Sequence, residues 1–321
     1  MRTLKLIFWN GVILLFIFLL LEGATRLFAR KINFQGTDAH LFTPNVYHDT
    51  PGLTPDTVGV SFESMIRTNS RGMRKYKCFE PRSKSKLLIG DSVTMGIGVD
   101  EDDTFMSKLT CAYGENHSIL NVALLGYTSE DQKNVVNHFT ALPDSIDQVV
   151  IFYCLNDIFD RNSVNLALAS KKYIGEIFDF LRTNSRFYMW FKNLVTDRPK
   201  AYFLHEQELY KDAALVQTRI IEPYRTIKNT CDANGIELSV VVLPYEYQLR
   251  KDAEGEVFTP QKKVLQALNS LGITSYDSTP YFLDNVENSA DAFLYADGVH
   301  LSVYGNQLVY EFVVGNGVLK K

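Results

Sequence analysis

Residues 86–96 read KLLIGDSVTMG, and the fold turns on them. A short apolar run, Leu87-Leu88-Ile89, stops at Gly90, and the polar pair Asp91-Ser92 opens a new segment. Apolar runs of four to eight residues, rich in Val and Ile and bounded by turn residues, suit strands buried on both faces of a parallel sheet. The pattern recurs at Ile119–Leu124, Val149–Leu155, Glu237–Leu243 and Ile273–Tyr276. Between the runs lie amphipathic stretches, Asp102–Ala112, Asp131–Leu142, Ala213–Ala233 and Pro260–Leu271, and Leu301–Val314 closes the series. Strand alternating with helix predicts a three-layer α/β/α domain with a parallel sheet. Ligands of such sheets sit beyond the carboxyl ends of the strands. Chemistry is therefore expected at Gly90-Asp91-Ser92, Gly126, Asn156-Asp157, Pro244-Tyr245 and Asp277.

The rest of the 321 residues divides around that core. With 46% apolar and 22% charged residues the chain is globular, which excludes disorder, collagen and a polytopic membrane protein. A net charge of −4, from 33 basic and 37 acidic side chains, argues against a nucleic-acid partner. Residues 84–321 are expected to form the α/β domain, with a helical insertion at about 160–212. Residues 32–83, punctuated by Pro44, Pro51, Gly52, Pro55 and Pro81, are expected to form a stalk with short irregular or β structure.

Residues 6–21, LIFWNGVILLFIFLLL, carry no charge, and only Asn10 is strongly polar. As a helix the run covers about 24 Å, short of a hydrocarbon core of about 30 Å. Thr3 to Thr25 suffices for a span, with Lys5 and Arg26 reaching back to the interfaces. A cleaved signal peptide is the main rival, but the run exceeds a normal signal core and no A-x-A-like site follows. A buried soluble helix would keep a polar face. One single-pass transmembrane anchor over residues 1–31 is thus expected. Arg2 and Lys5 precede the run, while Arg26, Arg30 and Lys31 follow it, so charge alone does not orient it. An extracytoplasmic body is preferred from the function below. Cys78, Cys111, Cys154 and Cys231 allow three pairings and suggest neither a framework nor a metal site. Cys154, in an apolar run, reads as a buried thiol.

Ser92 follows its strand at a strand-to-helix turn, where a nucleophile would find backbone N–H groups for developing negative charge. The plain alternative is a turn and helix cap. It is not a G-x-S-x-G elbow, because Thr94 stands where that motif needs glycine. A serine hydroxyl needs a base. Of six histidines, His300 in Asp297-Gly298-Val299-His300 is the strongest candidate, since Asp297 can reach Nδ1 and leave Nε2 for the serine. Alone, that tetrapeptide also reads as a loop with Asp297 as a cap. The Ser92 and Gly126 N–H groups and the Asn156 amide are candidate oxyanion donors, with a loop glycine and an Asx-turn as the alternatives. The conjunction favours catalysis, because every piece falls at one end of the same sheet.

At this point the chain resembles the SGNH or GDSL hydrolases. Ile89-Gly90-Asp91-Ser92-Val93-Thr94-Met95-Gly96 is similar to their first block, with Ser92 as nucleophile. Asn121-Val122-Ala123-Leu124-Leu125-Gly126-Tyr127-Thr128 resembles the second, with Gly126 as oxyanion donor, and Leu155-Asn156-Asp157 the third, with Asn156. Asp297-Gly298-Val299-His300 is similar to the last, supplying Asp297 and His300. The resemblance spans roughly residues 84–315. Cys154 stands where the third block often has glycine. Upstream, Asn69-Ser70-Arg71-Gly72-Met73-Arg74 resembles a segment preceding the domain in membrane-anchored bacterial members, with Met73 in place of an aromatic.

The resemblance implies a flavodoxin-like sheet and ester hydrolysis through an acyl-serine, with no cofactor and no metal. An ester, such as an O-acetyl group on a glycan, is the expected substrate, and the membrane the expected partner of the N-terminal helix. The alternatives are an O-acyltransferase with the same site, and a non-catalytic glycan-binding subunit. Phe178–Val195, FDFLRTNSRFYMWFKNLV, reads as an amphipathic helix pair packed on the domain, or else as a lid or membrane-touching surface.

Overall fold

In the computed structural model, which describes residues 2–29, 32–142, 145–160 and 174–320, the chain starts as one long helix, α1 (Arg2–Phe28). This helix is long and apolar enough to cross a membrane, and none of its residues is buried. Two antiparallel hairpins follow, β1 (Phe42–Tyr47) with β2 (Thr50–Leu53), and β3 (Val58–Ser61) with β4 (Ser64–Arg67).

Residues 32–83, expected as a stalk with short irregular or β structure, carry these two short hairpins and pack onto the domain. Leu41, Tyr47, Leu53, Ile66, Met73 and Tyr76 are buried in the same apolar cluster as the central strands. In the second hairpin the strands alternate, turning Gly59, Ser61, Ser64 and Ile66 inward and leaving Val58, Val60 and Met65 exposed. Arg74 reaches deepest. Its guanidinium donates to the carbonyls of Met95 at 2.7 Å, Gly96 at 2.7 Å and Val99 at 3.0 Å, so this segment holds the loop behind the Ser92 turn.

Strand β5 (Ser85–Gly90) leads into α2 (Ser92–Met95) and α3 (Phe105–Tyr113), then β6 (Ser118–Ala123), α4 (Ser129–Thr140) and β7 (Ile146–Tyr153). The described part of the region beyond β7 holds α5 (Ile174–Asn184), α6 (Arg186–Val195) and α7 (Arg198–Leu209); residues 161–173 of the expected insertion lie outside the described residues. Next come α8 (Ala213–Val216) and α9 (Glu222–Ala233), joined through a π-helical turn, Gln217–Ile221. The chain finishes with β8 (Glu237–Val242), α10 (Thr259–Ser270), β9 (Thr274–Asp277), α11 (Thr279–Asn285) and α12 (Val303–Gly315).

Strands β5 to β9 form one parallel sheet in the order β6-β5-β7-β8-β9. Every residue of β5 and β6 is buried, which is why their apolar residues follow one another with no alternation, Asn121 being the one polar residue inside β6. Helices α4, α9 and α10 cover one face, and α3 and α12 pack together on the other. This is the doubly wound α/β/α architecture anticipated above. Its order reverses between β5 and β7, and connections leaving in opposite directions there open a crevice at the strands' carboxyl ends. Ser92 follows β5 and Asn156 follows β7, so both stand at that crevice.

One feature had no signal in the spacing: Cys78 and Cys111 form a disulfide, Cα atoms 4.9 Å apart. It ties the segment before β5 to α3. Cys154 and Cys231 are free and buried.

Candidate active site

The turn that carries Ser92 is built by close packing at Gly90. A Cβ there would lie 2.1 Å from Thr94 Oγ1 and 3.0 Å from the Phe152 carbonyl oxygen, so the strand can end this tightly only on glycine. Asp91 then caps α2, its Oδ1 accepting from the Val93 N–H at 2.9 Å. Ser92 is the first residue of α2, and its Oγ lies 2.8 Å from His300 Nε2.

His300 arrives through a compact turn after α11. Gly298 has φ +82°, and a Cβ would lie 2.5 Å from Cβ of Pro199, so glycine is required twice over. The turn folds Asp297 Oδ1 onto three donors: His300 Nδ1 at 2.7 Å, the His300 N–H at 2.8 Å and the Val299 N–H at 3.1 Å. Asp297 is not the cap of the final helix; Ser302 is, and α12 begins at Val303, three residues beyond His300. Serine, imidazole and carboxylate therefore form one continuous hydrogen-bonded line.

The charges in this line reinforce each other. Burial pushes the Asp297 carboxyl up, but the His300 charge and hydrogen bond, with Arg198 nearby, hold it well below the usual carboxylate range. Burial pushes His300 down, and the Asp297 charge and hydrogen bond raise it above its ordinary value. An imidazolium formed beside Asp297 is thus stabilised.

Of the three oxyanion candidates, Asn156 is tied most directly to the line. Its Nδ2 donates to Asp91 Oδ2 at 3.0 Å, and Ser92 Oγ stands 3.3 Å from the same oxygen. Asp91 therefore sets the distance between the Ser92 hydroxyl and the Asn156 amide. An amide carries two N–H bonds, and among the described residues only this one is seen to be engaged. Gly126 lies in an exposed turn three residues beyond Ala123, which pairs with Gly90. It has φ +79°, nothing stands within 4 Å of where its Cβ would be, and its N–H donates to no backbone carbonyl among the described residues. Cys154 takes an ordinary extended conformation, φ −104°, so no glycine is needed there.

Several residues at the site carried no signal in the sequence. Gln35, just beyond α1, donates from Nε2 to Asp297 Oδ2 at 3.3 Å, and its Oε1 accepts from Arg198 Nη1 at 2.6 Å. The Phe62 ring stands against the imidazole of His300, centroids 5.3 Å apart. Behind the oxyanion side, Asp157 Oδ2 accepts from the Cys154 N–H at 3.1 Å and Gln132 Nε2 at 2.7 Å. Burial, with Asp91 nearby, raises Asp157 well above the usual carboxylate range, and burial raises Glu206 to about 8. Tyr245 is fully buried beside Glu206 and does not line the crevice. Asp277 stays at the end of β9, its Oδ1 capping the Thr279 N–H. A cavity of about 540 Å³ flanks Asp297 and Gly298, but neither Ser92 nor His300 lines it.

No family model matches the chain, and no curated protein matches it. Among solved structures it is similar to TesA, at 14% identity over 73% of this chain and 99% of that one, with a TM-score of 0.44. It is similar to an acetyl xylan esterase, Axe2, from Geobacillus stearothermophilus, at 14% identity over 74% and 95%, with a TM-score of 0.43. A third is LAE5, an alpha/beta hydrolase enzyme from the metagenome of Lake Arreo, at 15% identity over 76% and 99%, with a TM-score of 0.45. The chemistry of the site rests on this chain's own residues.

Proposed function

We propose that this chain is a serine esterase of the SGNH/GDSL type, anchored by α1, that hydrolyses an ester through an acyl-serine. The observation that carries the reading is the unbroken line from Ser92 Oγ through His300 to Asp297, with contacts of 2.8 and 2.7 Å.

In this reading His300 Nε2 takes the Ser92 proton as Oγ attacks the ester carbonyl, and Asp297 fixes the imidazole tautomer and offsets the imidazolium charge. The Ser92 and Gly126 N–H groups and the Asn156 amide hold the oxyanion. His300 then returns the proton to the departing alcohol. In the second half, it takes a proton from water, which attacks the acyl-serine, and returns that proton to Ser92 Oγ as the acyl–Oγ bond breaks and the acid leaves. Residues 84–321 are the catalytic unit in this account, and residues 1–31 the anchor.

The Cys78–Cys111 disulfide supports a body on the oxidising, extracytoplasmic side of the membrane. An O-acetyl group on a surface or secreted glycan is the proposed substrate. The test offers the full chain in detergent a chromogenic acetyl ester and an O-acetylated glycan, and measures free acetate. Acetate release from both, lost in Ser92→Ala, is expected. Acetyl transfer to a sugar hydroxyl without free acetate would make the chain an acyltransferase instead. No turnover of either ester by folded wild-type protein would overturn the enzyme reading.

A further inference from the structure

An ordinary surface helix turns its apolar stripe inward and its polar side to water. Helix α6 does the reverse. Trp190, Phe191, Leu194 and Val195 recur at helical spacing on one face, and that face is open: Leu194 is 62% exposed and Val195 63%. The opposite side holds the domain, through buried Met189 and a 3.4 Å bond from Asn193 Nδ2 to Tyr295 Oη. Helix α5 adds Ile177 and Phe180, 62% and 64% exposed. The helix pair anticipated over Phe178–Val195 is present, but its apolar side points away from the core.

The position of this surface is fixed by α1. The Glu22 carboxylate accepts from Ser185 Oγ at 2.7 Å and from the Phe187 N–H at 3.0 Å, so it caps the start of α6. Arg26 Nη2 donates to the Asn184 carbonyl at 2.8 Å, and the rings of Phe18 and Phe187 meet edge to face at 5.7 Å. Glu22 is also the first charge after the uncharged run 6–21, so it marks the edge of any hydrocarbon layer that α1 crosses. A bilayer that receives α1 therefore arrives at the open face of α5 and α6.

We propose that α5 and α6 form an interfacial platform whose outward apolar face enters the headgroup–acyl boundary of the bilayer that α1 spans. The occupant is lipid, because the platform continues the flank of a helix that has no buried residue along its apolar run. Arg182 pairs with Asp179 and Arg186 with Glu63, so the attraction is apolar and needs no anionic lipid. The platform adjoins the candidate site: the Arg182 carbonyl accepts from the Gln35 N–H at 3.3 Å, and Gln35 donates to Asp297. The proposal rests on the anchor reading of α1 and not on the esterase reading.

The chain has two tryptophans, Trp9 in α1 and Trp190 in α6, which makes each readable alone. Trp9→Phe full chain is reconstituted in phosphatidylcholine vesicles brominated either near the top or near the end of the acyl chains. Trp190 emission is expected to be quenched more by the shallow bromines than by the deep ones. Acrylamide quenching should fall at least about threefold relative to free indole, as for a helix buried in the boundary. Full acrylamide quenching with no response to either bromolipid would overturn the proposal. Shielding from both would also overturn it, because it would mean a protein occupant such as a second copy. Trp190→Phe, reporting Trp9, is the companion: if no bromolipid quenches Trp9, the anchor reading fails and the platform with it. Esterase activity measured on the same vesicles reads the enzyme proposal separately.

Discussion

Replacing Asp297 with asparagine keeps the shape of the turn and removes one charge. In the wild-type line Asp297 Oδ1 accepts from His300 Nδ1 at 2.7 Å, which places the proton on Nδ1 and leaves Nε2 as a base toward Ser92. An asparagine amide can donate to Nδ1, which favours the opposite tautomer and turns an N–H toward the nucleophile. Loss of the correct tautomer and of imidazolium stabilisation is worth about 10⁴ in kcat, or about 5.4 kcal/mol. The pH profile gives a second readout. Activity needs neutral His300, so it falls as pH drops through a pKa that Asp297 holds above the ordinary histidine value. Without that charge burial dominates, the pKa drops, and the acid limb moves to lower pH. Stability carries its own sign. Asp297 is depressed, so its contribution is present above the unfolded carboxylate pKa of about 3.9 and lost as pH falls through the folded value. His300 is raised, so its contribution is full below about 6.5 and lost as pH rises through the folded value. The stability gap between wild type and variant is therefore widest between about pH 4 and 6.5. The assay is kcat/KM on a chromogenic acetyl ester from pH 5 to 9, with urea unfolding at matched pH. A variant within tenfold of wild type, its acid limb unmoved, would refute the reasoning.

Three further outcomes follow from named contacts. Asn156→Ala should lower kcat by about 10²–10³ with little change in KM, as for loss of one oxyanion donor; an unchanged kcat would remove Asn156 from the site. Arg74→Met strands three buried carbonyls, each worth about 1–3 kcal/mol, so urea unfolding should show at least about 3 kcal/mol lost; a loss under about 1 kcal/mol would mean these bonds do not hold the loop. The disulfide bridges a sequence separation of 33, so Cys78→Ser with Cys111→Ser should cost about 3–4 kcal/mol; equal midpoints with and without reductant in the wild type would contradict it.

The parts legible in the sequence were those whose partners lie close along the chain. The strand runs, the helices between them, and the spacing of Asp297 and His300 all express local periodicity. Ser92, Gly126 and Asn156 were reachable because each follows a strand by two or three residues, and the carboxyl ends of parallel strands share one edge. What stayed hidden depends on segments far apart in sequence. Gln35 meets Asp297 across 262 positions, and no periodicity marks such a pair. Nothing in the spacing of four cysteines singled out Cys78 with Cys111. Residues 32–83 read as a stalk with short β structure because turn residues dominate their composition, and the packing of Leu41, Tyr47, Leu53 and Ile66 into the core depends on segments far along the chain. The α5–α6 pair shows a further limit. Helical periodicity reveals that an apolar face exists, and only the packing reveals that it points outward.

The central claim is that Ser92 is a nucleophile activated by His300, and covalent trapping tests it most directly. The full chain is treated with a fluorophosphonate, digested, and the modified peptide mapped by mass spectrometry. One adduct is expected, on Ser92, absent in Ser92→Ala and formed far more slowly in His300→Ala. Folded wild-type protein that stays unmodified, or carries its adduct on another residue, would contradict it.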